Sequence, residues 1–290
     1  MPVTCGPELA DATPLEAISE RYGIPLGDLD GWSIAVNLTR SGCRLHNAPL
    51  RAYAERLAAR AVLQRAARLV GPLRAATEIV SEPLREPFAG ELDVEATLDN
   101  LLGKRFPDDG DLIVTRRTER RHQVVLMLDT SLSMSGENMA IAAVAAAVLA
   151  LKLHPEDLSV VVFEDKARAV SRLHAADAPA DVVARMLDQP VRGYTNIAAA
   201  LELGAAELER GRNPRRSGLL ITDGVVTAGG DPVPFAHRFP RLFVLLTEDY
   251  KMDPALCRRL ADAGRGDVFP VRSYPELPHR ILDVANRVLR

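Results

Sequence analysis

Hydrophobic and polar positions fall into two patterns along the chain. Up to about residue 110 the apolar residues recur at helical spacing or not at all. Leu50, Tyr53, Ala54, Leu57, Ala61, Leu63 and Val70 trace one helical face, with arginines between them. Thr13-Pro14-Leu15-Glu16 is a capping box with proline at the first helical position, and Gly23 suits that helix's end. Pro83, Pro87 and Gly90 break the chain, and 93–102 reads as another short helix. No buried strand stands out, so residues 1–110 are expected to form a mainly helical N-terminal region.

From about Asp111 the pattern changes. Continuous apolar runs at 123–128, 158–163, 218–222, 242–246 and 267–271 alternate with helical stretches at 137–153, 180–187, 197–210, 254–263 and 275–289. Runs without polar alternation mark strands buried on both faces, as parallel strands are. A shorter run at 167–173 reads as an edge strand after a turn. The alternation predicts an α/β fold with a Rossmann-like, doubly wound, mostly parallel sheet over 111–290. The alanine-rich run 139–151 stops at Lys152 and is shorter than the ~20 residues a bilayer demands, so it reads as a buried core helix.

Composition narrows the function. A net charge of -3 offers no basic stripe for nucleic acid, and 4% aromatic residues leave little for base stacking. Cys5, Cys43 and Cys257 form no CxxC pair, and the chain opens without a signal-peptide pattern. A reducing cytoplasm and no membrane partner are the expectation.

The chemistry gathers at strand ends. The first long strand closes in Asp129-Thr130-Ser131-Leu132-Ser133, Gly193-Tyr194-Thr195-Asn196 opens a helix, and a later strand closes in Ile221-Thr222-Asp223-Gly224. In open α/β sheets ligands bind outside the carboxyl ends of strands where strand order reverses. If the strands ending at Asp129 and Asp223 flank that point, Asp129, Ser131, Ser133, Thr195 and Asp223 converge. Such a set offers oxygen only, which suits a hard cation such as magnesium and not a zinc-type nitrogen and sulfur site. Most of these donors are neutral, so a bound ion would accept one further carboxylate. The helices that begin after Ser135 and Asn196 favour an anion there as well.

These five residues resemble the metal-ion-dependent adhesion site of von Willebrand factor type A (VWA) domains in order, strand context and intervals, over about 111–290. The resemblance implies the VWA fold, with the two serines and the threonine coordinating Mg2+ or Mn2+, the aspartates acting largely through water, and a partner's Asp or Glu completing the shell. The stretch Gly90-Glu91-Leu92-Asp93-Val94-Glu95-Ala96-Thr97-Leu98 leading to Arg116-Arg117 resembles bacterial VWA proteins that work with MoxR-type AAA+ ATPases. That likeness implies an adaptor linking such an ATPase to a client.

Rival readings have less behind them. Ser131 sits in no G-x-S-x-G elbow, and no histidine is placed to serve it as a base. A phosphatase-like Asp129 would want a second acid where Ser131 stands, and no G-x-x-x-x-G-K-[ST] loop occurs, so the chain is not expected to be an enzyme. Metal-dependent phosphoester hydrolysis and a scaffold acting through the N-terminal helices are the alternatives. Arg116, Arg117, Arg120 and Arg121, with Arg212, Arg215 and Arg216, are expected to rim the sheet end opposite the metal, as solvated charge or as a docking surface. The six histidines show no ligand spacing, Trp32 reads as a packing anchor, and the sequon Asn37-Leu38-Thr39 means nothing without secretion.

Overall fold

Capping decides where the first helices start. Thr13 begins α1 (Pro14–Tyr22): its Oγ1 accepts from Glu16 N at 3.4 Å, its own N–H donates to Glu16 Oε2 at 2.7 Å, and Gly23 ends the helix at φ 65°. A second box, Asp30 with Ser33, starts α2 (Gly31–Leu38), a two-turn helix the spacing analysis did not anticipate. Asn47 caps α3 (Ala48–Val70), whose buried positions are small: Ala54, Ala58, Ala59, Val62 and Ala66. Small residues let helices approach closely. A Cβ on Gly31 would lie 2.7 Å from the Leu57 carbonyl oxygen on α3, so glycine is what α2 can place there.

The structure is a computed structural model of the 290-residue chain and describes residues 13–40, 45–71, 77–84, 90–104, 106, 108–119, 121–131, 134–189, 193–247 and 251–288. Its contacts group residues 73–121 into a small unit and 1–72 with 122–288 into a larger one. The small unit holds β1 (Thr77–Pro83), β2 (Glu91–Leu92), α4 (Val94–Leu101) and β3 (Ile113–Glu119). Its sheet is antiparallel in the order β1-β3-β2. The region before residue 110 is mainly helical, as expected, and adds short strands that the sequence pattern did not single out. These strands leave apolar residues such as Ile79 and Leu92 exposed, so no buried run announces them. Asp93 caps α4, and Thr97 Oγ1 accepts from Ile113 N at 2.9 Å, tying helix to sheet.

The larger unit holds the predicted α/β fold. Its sheet joins β4 (Gln123–Asp129), β5 (Leu158–Phe163), β6 (Ala167–Ser171), β7 (Arg216–Thr222), β8 (Leu242–Thr247) and β9 (Val268–Val271) in the order β6-β5-β4-β7-β8-β9. All neighbours are parallel except β5 and β6, so the short edge strand is the antiparallel one. Every residue of β4, β5 and β8 is buried, which is why their runs show no polar alternation.

Helices α5 (Glu137–Lys152), α6 (Pro179–Leu187), α7 (Ile197–Glu209), α8 (Val233–Ala236), α9 (Pro254–Ala263) and α10 (Leu277–Val288) complete the unit. α7 packs on β4, β5 and β7, and α9 on β8 and β9. α5 meets β5 and is covered in turn by α3, α6 and α10. The N-terminal helices thus form an outer layer over α5. That layer explains why Met139 to Ala150 are all buried and why alanine suits them. Among the described residues no helix is long and apolar enough to cross a membrane.

Candidate metal site

The sheet reverses its winding between β4 and β7. From β4 the chain proceeds to β5 and β6 on one side, then returns to place β7 on the other. β4 and β7 lie in register with Leu128 beside Ile221, so Asp129 and Asp223 emerge at neighbouring carboxyl ends.

Backbone contacts fix the Asp129 end. Thr130 is fully buried, and both its N–H and its Oγ1 donate to the Phe163 carbonyl at 2.9 Å. The strand is thereby locked to β5 one residue past Asp129. Asp129 itself is only 4% exposed. Its Oδ1 accepts from Ser131 N at 2.9 Å and its Oδ2 from Thr222 Oγ1 at 3.2 Å. A carboxylate oxygen has two lone-pair sites, so each retains acceptor capacity. Burial raises the Asp129 carboxyl to about 7, the hydrogen bonds from Ser131 and Thr222 pull it down, and the negative charge of Asp223 pushes it further up.

The Asp223 end depends on a glycine. Gly224 sits at φ 82°, and a Cβ there would lie 2.7 Å from the Asp253 carbonyl oxygen and 2.8 Å from Cys257 Sγ. The turn lets Val225 N donate to Asp223 Oδ1 at 2.8 Å, while Asp253 N donates to the Asp223 carbonyl at 2.9 Å. Cys257 beneath it is a buried free thiol, raised to about 12 by burial and by the charges of Asp253 and Asp223.

Of the five expected ligands, the structure brings Asp129, Ser131 and Asp223 to one cleft. Ser133 lies outside the described residues. Thr195 is buried, belongs to the loop before α7 and is not among the residues that line that cleft. Its N–H donates to Thr227 Oγ1 at 2.8 Å, and its carbonyl accepts from Thr227 N and Ala228 N, so it is stapled to the chain leaving Asp223. Thr222, Thr247 and Tyr274 also line the cleft and were not singled out from the sequence. Thr222 stood in the Ile221-Thr222-Asp223-Gly224 motif, and a hydroxyl next to a strand-end acid was its signal.

The donor chemistry fits a small divalent cation. Two carboxylates and several hydroxyls face about 10 Å³ of free space, roughly what a single water-sized sphere occupies. The mutual repulsion of Asp129 and Asp223 is what a 2+ charge between them would relieve. Among the described residues no three His, Cys, Asp or Glu side chains cluster as a metal site. The candidate set requires none, because only two of its donors are carboxylates.

One feature lies beyond the strand ends. Thr39, at the end of α2, is buried and donates its Oγ1 to the Gly136 carbonyl at 2.8 Å. Gly136 begins α5 at φ 75° without a side-chain cap, directly after the loop that carries Ser131. The outer helical layer is therefore bonded to the start of α5, next to the candidate site's loop.

The expected basic rim divides between the two units, with Arg216 opening β7 at the sheet end opposite Asp223. Arg116 and Arg117 lie on β3 of the small unit, where Arg116 pairs with Glu82 at 2.7 Å. Arg216 donates to the carbonyls of Leu208 and Gly211 at the end of α7. His122 is buried with its Nε2 3.0 Å from Ser217 Oγ, a structural place. The Asn37 amide is buried and donates to the Ser33 carbonyl, which leaves the sequon closed to modification.

Residues 124–225 match the von Willebrand factor type A domain, a span from β4 through the residue pair after Asp223. Together with the sheet order this gives the larger unit a VWA fold. Among solved structures, proximal thread matrix protein 1 from the mussel byssus, with a zinc-occupied MIDAS motif, is similar at 19% identity over 57% of this chain and 47% of that one, TM-score 0.48. A von Willebrand factor type A protein from Catenulispora acidiphila is similar at 15% identity over 75% of this chain and 50% of that one, TM-score 0.49. BatB from Bacteroides thetaiotaomicron is similar at 18% identity over 58% of this chain and 98% of that one, TM-score 0.44. The chain spans about half the length of the first two. No curated protein sequence matches it.

Proposed function

We propose that this chain is a metal-dependent protein-binding module, not an enzyme, and that it grips a partner through an acidic side chain at the Asp129–Asp223 cleft. The observation that carries the reading is two carboxylates, Asp129 and Asp223, at adjacent parallel strand ends, in a cleft with room for one small ion. Asp129, Ser131 and Asp223 would hold Mg2+ or Mn2+, with Ser133 and Thr195 completing the set by resemblance to the adhesion site. The bound ion would supply a Lewis-acidic position that accepts a carboxylate from outside. The chain's own part is to hold these oxygens rigid: Thr130 fixes one strand end and Gly224 shapes the other.

The partner reading rests on the small unit. The stretches that resemble MoxR-associated proteins meet there, since Glu91 pairs with Thr115 and Leu92 with Val114 on the strand that carries Arg116 and Arg117. α4 presents Val94, Leu98 and Leu102 to solvent at one helical face. An amphipathic helix offered this way suits a partner's groove. We take the partner to be a MoxR-type AAA+ ATPase in a reducing bacterial cytoplasm, which fits the buried free thiol of Cys257. The test is capture of a purified MoxR-type ATPase, and of client proteins from extract, in magnesium and in EDTA. Client capture should need magnesium and be lost in Asp129→Ala with the domain still folded. Capture indifferent to both changes would remove the mechanism.

A further inference from the structure

A second cavity lies away from the strand ends, within the larger unit. It is a cleft of about 510 Å³ where α2, α3, α5 and α10 meet. That volume lies in the range of roughly 300–1,000 Å³ used by small-molecule sites. Ile141 and Val144 of α5 and Pro278 of α10 form an apolar floor, with Trp32 of α2 and Leu69 of α3 beside them.

Its charges are one-sided. Arg65 and Arg68 are one turn apart on α3 and therefore share a face, and His279 stands across from them on α10. Glu137 is the acid among the lining residues. The Arg65 guanidinium lies 4.0 Å from the centroid of the Trp32 ring, a cation–π contact that orders a long exposed side chain. Stacking uses the guanidinium's face and leaves its edge, with the N–H donors, to meet an anion. Asp30 feels the Arg65 charge, but its carboxylate already caps α2 by accepting from Ser33 N at 2.7 Å.

We propose that this cleft binds a small organic anion with an apolar body, its carboxylate, sulfonate or phosphate on Arg65 and Arg68 and its body between Trp32 and the α5 floor. The occupant is a small molecule because the cleft is bounded by four helices and holds a few hundred cubic ångströms. It is anionic because two arginines oppose one acid among the lining residues. Sequence reading takes Trp32 as a packing anchor; the structure makes it a cleft wall, half-buried under an arginine. The inference is independent of the metal site.

Trp32 is the chain's single tryptophan, so its emission reports on this cleft alone. The experiment titrates the full chain with decanoate and, in parallel, with decyltrimethylammonium, which has the same tail and the opposite charge. Decanoate should shift Trp32 emission saturably, and the cation should not. Arg65→Glu with Arg68→Glu should weaken decanoate at least tenfold while circular dichroism stays unchanged. Arg68→Glu alone, on an exposed side chain, should weaken it several-fold and serves if the pair disturbs folding. Leu98→Ser with Leu102→Ser, on the exposed face of α4, should leave the titration as it was. No saturable shift, an equal response to the cation, or a response moved only by the α4 pair would overturn the proposal.

Discussion

Leu126 on β4 and Leu98 on α4 are both leucines in regular structure, yet one is wholly buried and the other is 59% exposed. The difference runs through the two units. The parallel sheet spends its apolar residues on its own core, with helices on both faces and a further helical layer over α5. The small unit leaves Ile79, Leu92, Val94, Leu98, Leu102 and Phe106 in solvent, six of the ten large hydrophobic residues exposed among the described residues. Exposed apolar residues gathered in one small unit point to something that covers them. The molecule divides its labour accordingly: one unit is rigid enough to place two carboxylates, and the other offers a surface.

The comparison breaks if buried and exposed leucines behave alike. Leu126→Ala should cost about 2–5 kcal/mol, through lost transfer energy and the cavity left behind. Leu98→Ala should change stability by no more than about 0.5 kcal/mol. Chemical denaturation of the full chain measures both. Leu98→Ser should weaken capture of the proposed ATPase partner while leaving the melting temperature in place.

Burial of Asp129 gives the larger unit a pH signature. Its folded carboxyl titrates at about 7, above the ordinary 3.8, so between those values the folded state holds a proton that the unfolded state has lost. Stability of the EDTA-treated protein should therefore fall as pH rises through that window, by on the order of 4 kcal/mol. Asp129→Asn should flatten the slope, and magnesium should offset it above pH 7. Denaturant midpoints from pH 4 to 8 test this, and a slope unchanged by Asp129→Asn would remove Asp129 as its source.

The remaining substitutions are smaller and concern how the site is held. Gly224→Ala forces a side chain into a left-handed turn and against the Asp253 carbonyl, so a loss of about 2 kcal/mol is expected, with weaker metal binding. Thr39→Val removes one buried hydrogen bond and leaves the Gly136 carbonyl to Ala140 N alone among its neighbours, at a cost of about 1 kcal/mol. If the outer helical layer steadies the metal loop, magnesium affinity should drop too, and Thr39→Ser should restore it. Unchanged affinity in Thr39→Val would make that bond a contributor to stability only.

The same contrast explains what the sequence revealed. β5 and α9 were legible to the residue, because a run such as Leu-Ser-Val-Val-Val-Phe has only one way to be buried. The strand-end acids could be read because Asp129 and Asp223 close such runs. β1 and β3 stayed hidden, since Ile79 and Arg116 are exposed and Val114 on β3 is buried without forming a continuous buried run. α2 was missed because two turns hold too few positions to show a period, although its Asp30–Ser33 box was there to be seen. The place of Thr195, bonded to Thr227, depends on a loop pairing that no local spacing encodes.

The most direct test is calorimetric titration of Mg2+ into the full chain after treatment with EDTA. The account predicts one ion taken up per chain, with uptake lost in both Asp129→Asn and Asp223→Asn while their circular dichroism stays that of the parent. A parent chain that takes up no ion, or asparagine variants that bind as it does, would contradict it.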